Sequence, residues 1–255
     1  MATYKKKGYK KEKKSGDDLS YLTKESTTAE VFTSLDEGAS KLEKFLEKNQ
    51  KWIFAGLAAI IVLVGGYMWY DQNIKIPHEK EATNNLVVAQ QYFDKALNET
   101  DEKLMKEDFD KALNGADGKY GFMQINEKFA GTKAGNLTNY YIGMIYYKNG
   151  EFEKAVAYLS KFKGDDDIVN PTVKGVIGDA FVELDQLNDA LDYYEKAAQA
   201  SDNEFTAPMY YFKAGKIALK LGDKVKAKKY FEIIKDKYPK SKEAKDIDIY
   251  IVQAE

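Results

Sequence analysis

The sequence predicts an all-α protein, a single transmembrane helix followed by a short α-solenoid of stacked helical hairpins. Three observations carry that expectation. Residues 52–70 run without one charged side chain. Beyond them the chain repeats itself at a period of about 36 residues, within the range that marks solenoids. Between the turn residues the apolar positions keep helical spacing, and no alternating run marks a strand.

Composition narrows the chemistry. The 255 residues hold 39 basic side chains, all lysine, against 41 acidic ones, with one histidine and no cysteine. Disulfides, thiolate metal sites and cysteine nucleophiles are therefore excluded. A single histidine leaves no material for a His-based triad or a multi-His metal centre. Without arginine there is no bidentate fork for phosphate or guanine, and a net charge of −2 gives no general attraction to nucleic acid.

Residues 1–27 are expected to be a disordered basic cytoplasmic tail, because seven lysines crowd into residues 1–14 among few apolar residues. Those lysines, Lys5, Lys6, Lys7, Lys10, Lys11, Lys13 and Lys14, admit a topogenic role or contact with anionic lipid or ribosomal RNA. Residues 28–51 read as an amphipathic cytoplasmic helix. Thr27 and Glu30 make a capping box, Val31, Phe32, Leu35, Leu42, Phe45 and Leu46 form the apolar stripe, and Gly38 is the weak point.

Residues 52–70 come next. At 1.5 Å per residue the run is about 28 Å of helix, the thickness of a hydrocarbon core. Trp52 stands at one end and Tyr67, Trp69 and Tyr70 at the other, where interfacial aromatics anchor a span in the lipid bilayer. The preceding segment is too long for a signal peptide, and no small-residue cleavage site follows. Lysines cluster on the N-terminal side, which places the N-terminus in the cytoplasm and the remainder across the membrane. Pro77 is expected to break the chain, with a helix resuming near Glu79.

Residues 71–255 are the repeat domain. The segments 142–162, 177–197 and 214–234 align with Gly143, Gly178 and Gly215 near their starts. Turn residues follow at Gly150, Asp185 and Gly222, then Ala155, Ala190 and Ala227, then Leu159, Tyr194 and Phe231. Small residues let two helices approach, while Tyr146, Phe181, Leu159, Tyr194 and Phe231 fill the space between hairpins. One hairpin cannot bury its apolar face alone, so several must stack. The clear repeats are 136–170, 171–207 and 208–240, closed by a capping helix at 241–254 with a polar outer face. Segment 128–135 resembles 237–244, so residues 120–129 are the second helix of an earlier, degenerate unit, and residues 86–97 an earlier helix still. The Asn114-Gly115 and Asp117-Gly118 pairs predict a turn or short loop over 98–119.

These units resemble tetratricopeptide repeats, with that family's small residue, aromatic and alanine at their places and Pro239 near the end of the third unit. Ala218 stands where an aromatic is usual, and Phe162 where a small residue is usual. The resemblance implies a partner-binding groove on the first helices. Its positions fall on Leu137, Tyr140, Met144 and Tyr147 in the first unit and on Asp179, Val182 and Glu183 in the second. In the third they fall on Met209, Phe212, Lys216, Leu219 and Lys220. Tyrosine, methionine and phenylalanine beside scattered charge suit an adaptable protein-binding surface.

No catalytic or metal site is expected, and no cofactor. His78 has no partner histidine or cysteine. Asp165, Asp166 and Asp167 lack the spacing of a calcium loop and read as an acidic turn ahead of the next helix. No glycine-rich phosphate loop occurs, and nothing selects a carboxylate pair.

In layout, a basic cytoplasmic start, one span and a small exported repeat domain, the whole chain resembles the YfgM-like family of inner-membrane proteins. That resemblance implies a non-enzymatic accessory subunit of the Sec translocon in a bacterial inner membrane, with its repeat domain in the periplasm. It implies as partners the translocon channel, a membrane-anchored periplasmic prolyl isomerase and emerging secretory chains. Two other readings stay open: an envelope scaffold for outer-membrane assembly or cell-division machinery, and a hydrolase with an atypical site.

Overall fold

The structure, a computed structural model, describes residues 27–255, with side chains at 35 and from 38 onward. The lysine-rich tail and the capping box lie outside the described residues and side chains. Contacts divide the chain into two compact units, Met1–Met68 and Trp69–Glu255. Among the described residues every regular element is helical.

Helix α1 (Thr27–Tyr70) supplies the described part of the first unit. It runs through Gly38 and across positions 51 and 52 without interruption, so the amphipathic and apolar stretches are one helix. Leu35, Leu42 and Phe45 are exposed, as are Trp52, Leu57, Ile61 and Leu63. The uncharged stretch 52–70 of this helix buries none of its side chains in protein and has the length and composition to cross a membrane.

The second unit does not begin with a break. Asp71–Lys75 form a π-helical turn in which the Ile76 N–H bonds the Asp71 carbonyl, and α2 (Ile76–Asn98) starts directly after it. Pro77, which has no N–H to give to the turn behind it, sits in the first turn of α2. The expected interruption is thus replaced by a one-residue widening of the helical turn, a device that carries a helix past a local misfit.

The expected loop over 98–119 is also corrected. It contains α3 (Glu102–Asn114), capped by Asp101, whose carboxylate accepts from the Lys103 and Leu104 N–H groups at 2.9 and 3.1 Å. Phe109, Ala112 and Leu113 bury one face of α3 against Phe93 and Ala96 of α2. Asp108 is buried with them and is held by Lys95 at 2.9 Å and Lys111 at 3.5 Å. The Asn-Gly and Asp-Gly pairs do make a turn, but only after Asn114, with Gly115, Asp117 and Gly118 at positive φ. A short α4 (Phe122–Lys128) follows and packs on the next helix through Phe122 and Ile125.

Three hairpins complete the stack: α5 (Lys133–Lys148) with α6 (Phe152–Leu159), α7 (Val169–Glu183) with α8 (Leu187–Gln199), and α9 (Thr206–Lys220) with α10 (Lys224–Lys237). Each turn is the same Schellman motif. Gly150 N–H bonds Tyr147 O at 3.1 Å and Glu151 N–H bonds Tyr146 O at 2.8 Å. The pairs Asp185–Val182 and Gln186–Phe181, then Gly222–Leu219 and Asp223–Ala218, repeat it. The motif needs a left-handed residue, met by Gly150 (φ +78°) and Gly222 (φ +79°), and by Asp185 (φ +56°), a type that tolerates this region.

Inside each hairpin the repeated glycine faces the repeated large residue. A Cβ built on Gly143 would lie 2.5 Å from Leu159, one on Gly178 2.7 Å from Tyr194, and one on Gly215 2.4 Å from Phe231. Ala155, Ala190 and Ala227 are fully buried beside them. The core is thick at both ends, in α2–α5 and in α8–α11, and thinner between α6 and α7, where Leu159, Val173 and Ile177 form a small cluster of their own.

The capping helix differs from expectation. Residues Glu243–Asp246 form a 3-10 turn, and α11 (Ile247–Gln253) is a separate short helix. Ile247 is buried and Tyr250 packs on the core. Ile249 and Val252 face outward, so the outer face is not polar throughout.

Glu79 ties the start of α2 to the stack. Its two carboxylate oxygens accept from the Lys133 and Ala134 N–H groups at 2.9 and 3.1 Å, capping α5 from 54 and 55 residues away. His78 is exposed and rests its ring on Phe129 at 4.9 Å. Glu79→Ala is expected to cost about 1 kcal/mol, as loss of a helix cap does. A denaturation midpoint unchanged by that substitution would contradict this role.

Candidate functional site

The first helices of the three hairpins, α5, α7 and α9, begin with side-chain caps that fix their entry. Thr132 Oγ1 accepts from Gly135 N–H at 2.9 Å. Asp166 Oδ1 accepts from Ile168 and Val169 N–H at 2.8 and 2.7 Å, and these bonds hold its carboxyl below the usual carboxylate range. Asn203, one period later, accepts from Phe205 and Thr206 N–H at 2.8 and 2.6 Å. The acidic turn is therefore a cap, and Asn203 is its unrecognised equivalent in the next hairpin.

From that frame the groove positions can be followed one by one. Leu137 packs half-buried on the N-terminal core. Tyr140 lies against Tyr141 at 5.2 Å and Phe162 at 6.1 Å, and Met144 bridges the N-terminal core and the thin cluster. Phe162, where the repeat pattern asks for a small residue, is accommodated by this contact with Tyr140. Tyr147 meets Phe152 edge-on at 5.7 Å. Burial, then the nearby carboxylates of Asp179 and Glu183, push its hydroxyl above its ordinary pKa.

Asp179 is the junction of the surface. It accepts from the Lys213 ammonium at 2.7 and 2.8 Å and from the Tyr194 hydroxyl, so one carboxylate joins α7, α8 and α9. Lys213 in turn stands over the Tyr194 and Tyr210 rings at 5.5 and 5.8 Å. Beside it Val182, Tyr194, Lys213, Lys216 and Ile217 line an open cavity of 220 Å³. Lys216 reaches over Phe212 at 5.9 Å, and Phe212 meets Tyr250 of α11 at 4.8 Å. Lys220 is 3.9 Å from Asp185.

Tyr147, Asp179, Val182, Glu183, Lys216 and Phe212 thus belong to one surface of mixed charge and aromatic character. Leu137, Met209, Val182, Phe212 and Leu219 also pack on the cores, so part of each serves the fold. Lys213, Tyr194 and Tyr210 were not among the expected residues. The signal for Lys213 was present: it lies 34 residues after Asp179, close to one period. Tyr194 reads as core, and it and Tyr210 are both buried in the C-terminal core.

Asp179→Ala is expected to leave the Tyr194 hydroxyl and the Lys213 ammonium without their shared acceptor, lowering stability by about 1–3 kcal/mol. Asp179→Asn, which keeps one acceptor oxygen, should lose less. Equal loss from both would assign the contribution to the charge on Asp179 and not to its acceptor oxygen.

Among the described residues no group of three or more His, Asp or Glu side chains could hold a metal ion. The surface presents contacts suited to another chain: aromatic faces, a methionine, and both signs of charge.

The stacked hairpins, their Schellman turns and their glycine–aromatic contacts define a short α-solenoid. The family model described as tetratricopeptide repeat matches residues 138–165 and 210–241, which are the first and third hairpins. The chain therefore contains tetratricopeptide repeats, units of a fold that serves protein–protein interaction. A TPR repeat-containing protein of Methanocaldococcus jannaschii is 34% identical over 123 residues, covering 48% of this chain and 21% of that protein. The chain thus spans about a fifth of that relative's length. A solved structure of a kinesin light chain-like protein of Podosopora anserina, with nearly identical TPR-like repeats, matches with a TM-score of 0.47 at 11% identity. It covers 69% of this chain and 86% of that one.

Proposed function

We propose that the chain is a membrane-anchored, non-enzymatic binding protein that acts as an accessory subunit of the Sec translocon in a bacterial inner membrane. In this reading α1 crosses the bilayer through residues 52–70, with the N-terminus in the cytoplasm, the repeat domain in the periplasm, and Trp52, Tyr67, Trp69 and Tyr70 at the interfaces. The groove of the first helices holds a partner, either a periplasmic prolyl isomerase or emerging secretory chains. The observation that carries the binding role is the surface around Asp179, where side chains of α5, α7, α8 and α9 converge beside an open cavity.

The test is purification of the full chain in mild detergent from its host, with identification of every co-purifying protein. Translocon channel subunits with a prolyl isomerase are expected, and Tyr147→Ala with Lys216→Glu should reduce their yield while leaving the fold intact. Recovery of outer-membrane assembly or division proteins, with no translocon, would replace this reading by that of an envelope scaffold.

A further inference from the structure

The three hairpin turns share one backbone motif, so each serves as a control for the others. At the third the side chains reverse their usual order. Two residues past the left-handed position stand Phe152 and Leu187, both half-buried, and then exposed Lys224. One residue later stand Glu153 and Asn188, and then Val225, which is 83% exposed. Leu221, on the other side of the turn, is exposed too.

The first turns of α6 and α8 carry Glu153 and Asp189; at α10 the acid is the N-cap itself, Asp223, which accepts from the Lys226 N–H at 3.0 Å, and the first turn carries Lys224 and Lys226. Lys224, Lys226 and Lys229 are exposed and make no ion pair among the described residues. The wider charge follows the same division. Residues 165–204 hold 11 acids and 2 lysines, whereas residues 213–245 hold 12 lysines and 4 acids. An exposed valine ringed by lysines contributes no burial to the fold, and a surface that departs from the pattern of its two sister turns points to contact with something outside the chain.

We propose that the α9–α10 turn is a docking tip for an anionic bilayer surface, with Lys220, Lys224, Lys226 and Lys229 on lipid phosphates and Leu221 and Val225 entering the interface. Lysine ammoniums act as point charges suited to a diffuse anionic surface, without the fork geometry that a specific carboxylate partner rewards. An apolar residue framed by lysines matches the order of groups met on approaching a bilayer, charge first and acyl chain second. The proposal rests on the reading of residues 52–70 as a membrane span, which keeps the repeat domain tethered to a lipid surface.

The absence of cysteine makes the test clean. A polarity-sensitive fluorophore is placed on V225C, and for comparison on N188C at the matching position of the second hairpin, in the full chain reconstituted into nanodiscs. With about 30% anionic lipid the label at 225 should shift to the blue while that at 188 does not, and about 0.5 M salt should reverse the shift. Each of K224E, K226E and K229E should weaken the docked state about fivefold or more. Identical emission in neutral and anionic discs, or identical behaviour of the two labels, would overturn the proposal. A shift produced by polyglutamate and not by lipid would overturn it in favour of an acidic polypeptide. Failure of the chain to enter nanodiscs at all would overturn the span, and with it the tether on which the docking depends.

Discussion

Gly215→Val is expected to unfold the C-terminal end of the solenoid. Gly215 lies in the middle of α9, where replacing glycine by alanine would ordinarily stabilise a helix by about 0.5–1 kcal/mol. The sign reverses here. A Cβ would sit 2.4 Å from the ring of Phe231, which is fully buried and held by Phe212 and Tyr250 at 6.0 and 5.5 Å. The ring cannot rotate away from both neighbours, so the helices must part. Overpacking of this kind costs about 1–3 kcal/mol for a methyl group, and the branched side chain of valine should bring the loss to about 3 kcal/mol or more.

Urea denaturation of the full chain in detergent, followed by circular dichroism, measures it. Gly38→Ala, at a helical glycine with nothing within 4 Å, should move the other way or not at all. Pairing Gly215→Ala with Phe231→Leu should recover part of the loss, because the smaller side chain vacates the space that the Cβ needs. Strict additivity of those two substitutions would rule out the wedge.

Alkaline pH should unfold the repeat domain at its tyrosines. Tyr194 and Tyr210 are each 3% exposed, and burial raises both hydroxyls above their ordinary pKa, that of Tyr210 to about 12. Asp179 adds to the rise at Tyr194 by accepting its proton in a hydrogen bond. Burial and Asp202 raise Tyr238 in the same way. The unfolded chain ionises its tyrosines near pH 10, so above that pH the folded state binds more protons than the unfolded one and stability falls. The contribution is complete below about pH 10 and is lost as pH climbs toward about 12, at about 1.4 kcal/mol per pH unit for each such tyrosine.

Two tyrosines over two units amount to about 5 kcal/mol, a large share of the stability of an ordinary domain. Tyrosinate absorbance should therefore rise in one steep step that coincides with loss of helix. Tyr210→Phe should make the fall in stability shallower by one proton. A gradual titration with helix content unchanged through pH 12 would show that these hydroxyls reach solvent without unfolding.

Much of the architecture was legible because it rests on periodicities that a chain displays openly. The spacing of Gly143, Gly178 and Gly215, and of Leu159, Tyr194 and Phe231, marked two helix faces that must meet, and they do. The turn residues were legible for a similar reason, since a left-handed backbone position selects glycine, or aspartate at 185. Helix α3 was overlooked because Asn-Gly and Asp-Gly are loud local signals. The competing signal, Phe109, Ala112 and Leu113 on one face, stabilises a helix only once α2 is there to cover it. The passage through Pro77 was hidden for a related reason. A π turn is a choice of hydrogen-bond register, and no residue type announces it.

The site divides along the same line. The groove positions in 137–147, 179–183 and 209–220 were implied by the resemblance to tetratricopeptide repeats, which could not separate residues that serve the core from those that line a surface. Lys213, Tyr194 and Asp179 come from three helices, and their network exists only after two hairpins have stacked. The reversal of polarity at Lys224 and Val225 was visible as letters. It gained meaning once the three turns could be superposed as one motif and Val225 was found exposed.

By itself the sequence determined the all-α class, the apolar helix suited to a membrane, the hairpin period and the small residues on which the helices close, because these are short-range or periodic demands that each segment must meet alone. The tertiary structure decided the extra helix α3, the Glu79 cap on α5, the Asp179–Lys213–Tyr194 junction and the exposure of the third turn. Those depend on which distant side chains arrive in the same place, and the free energy of such meetings is written in no segment taken singly.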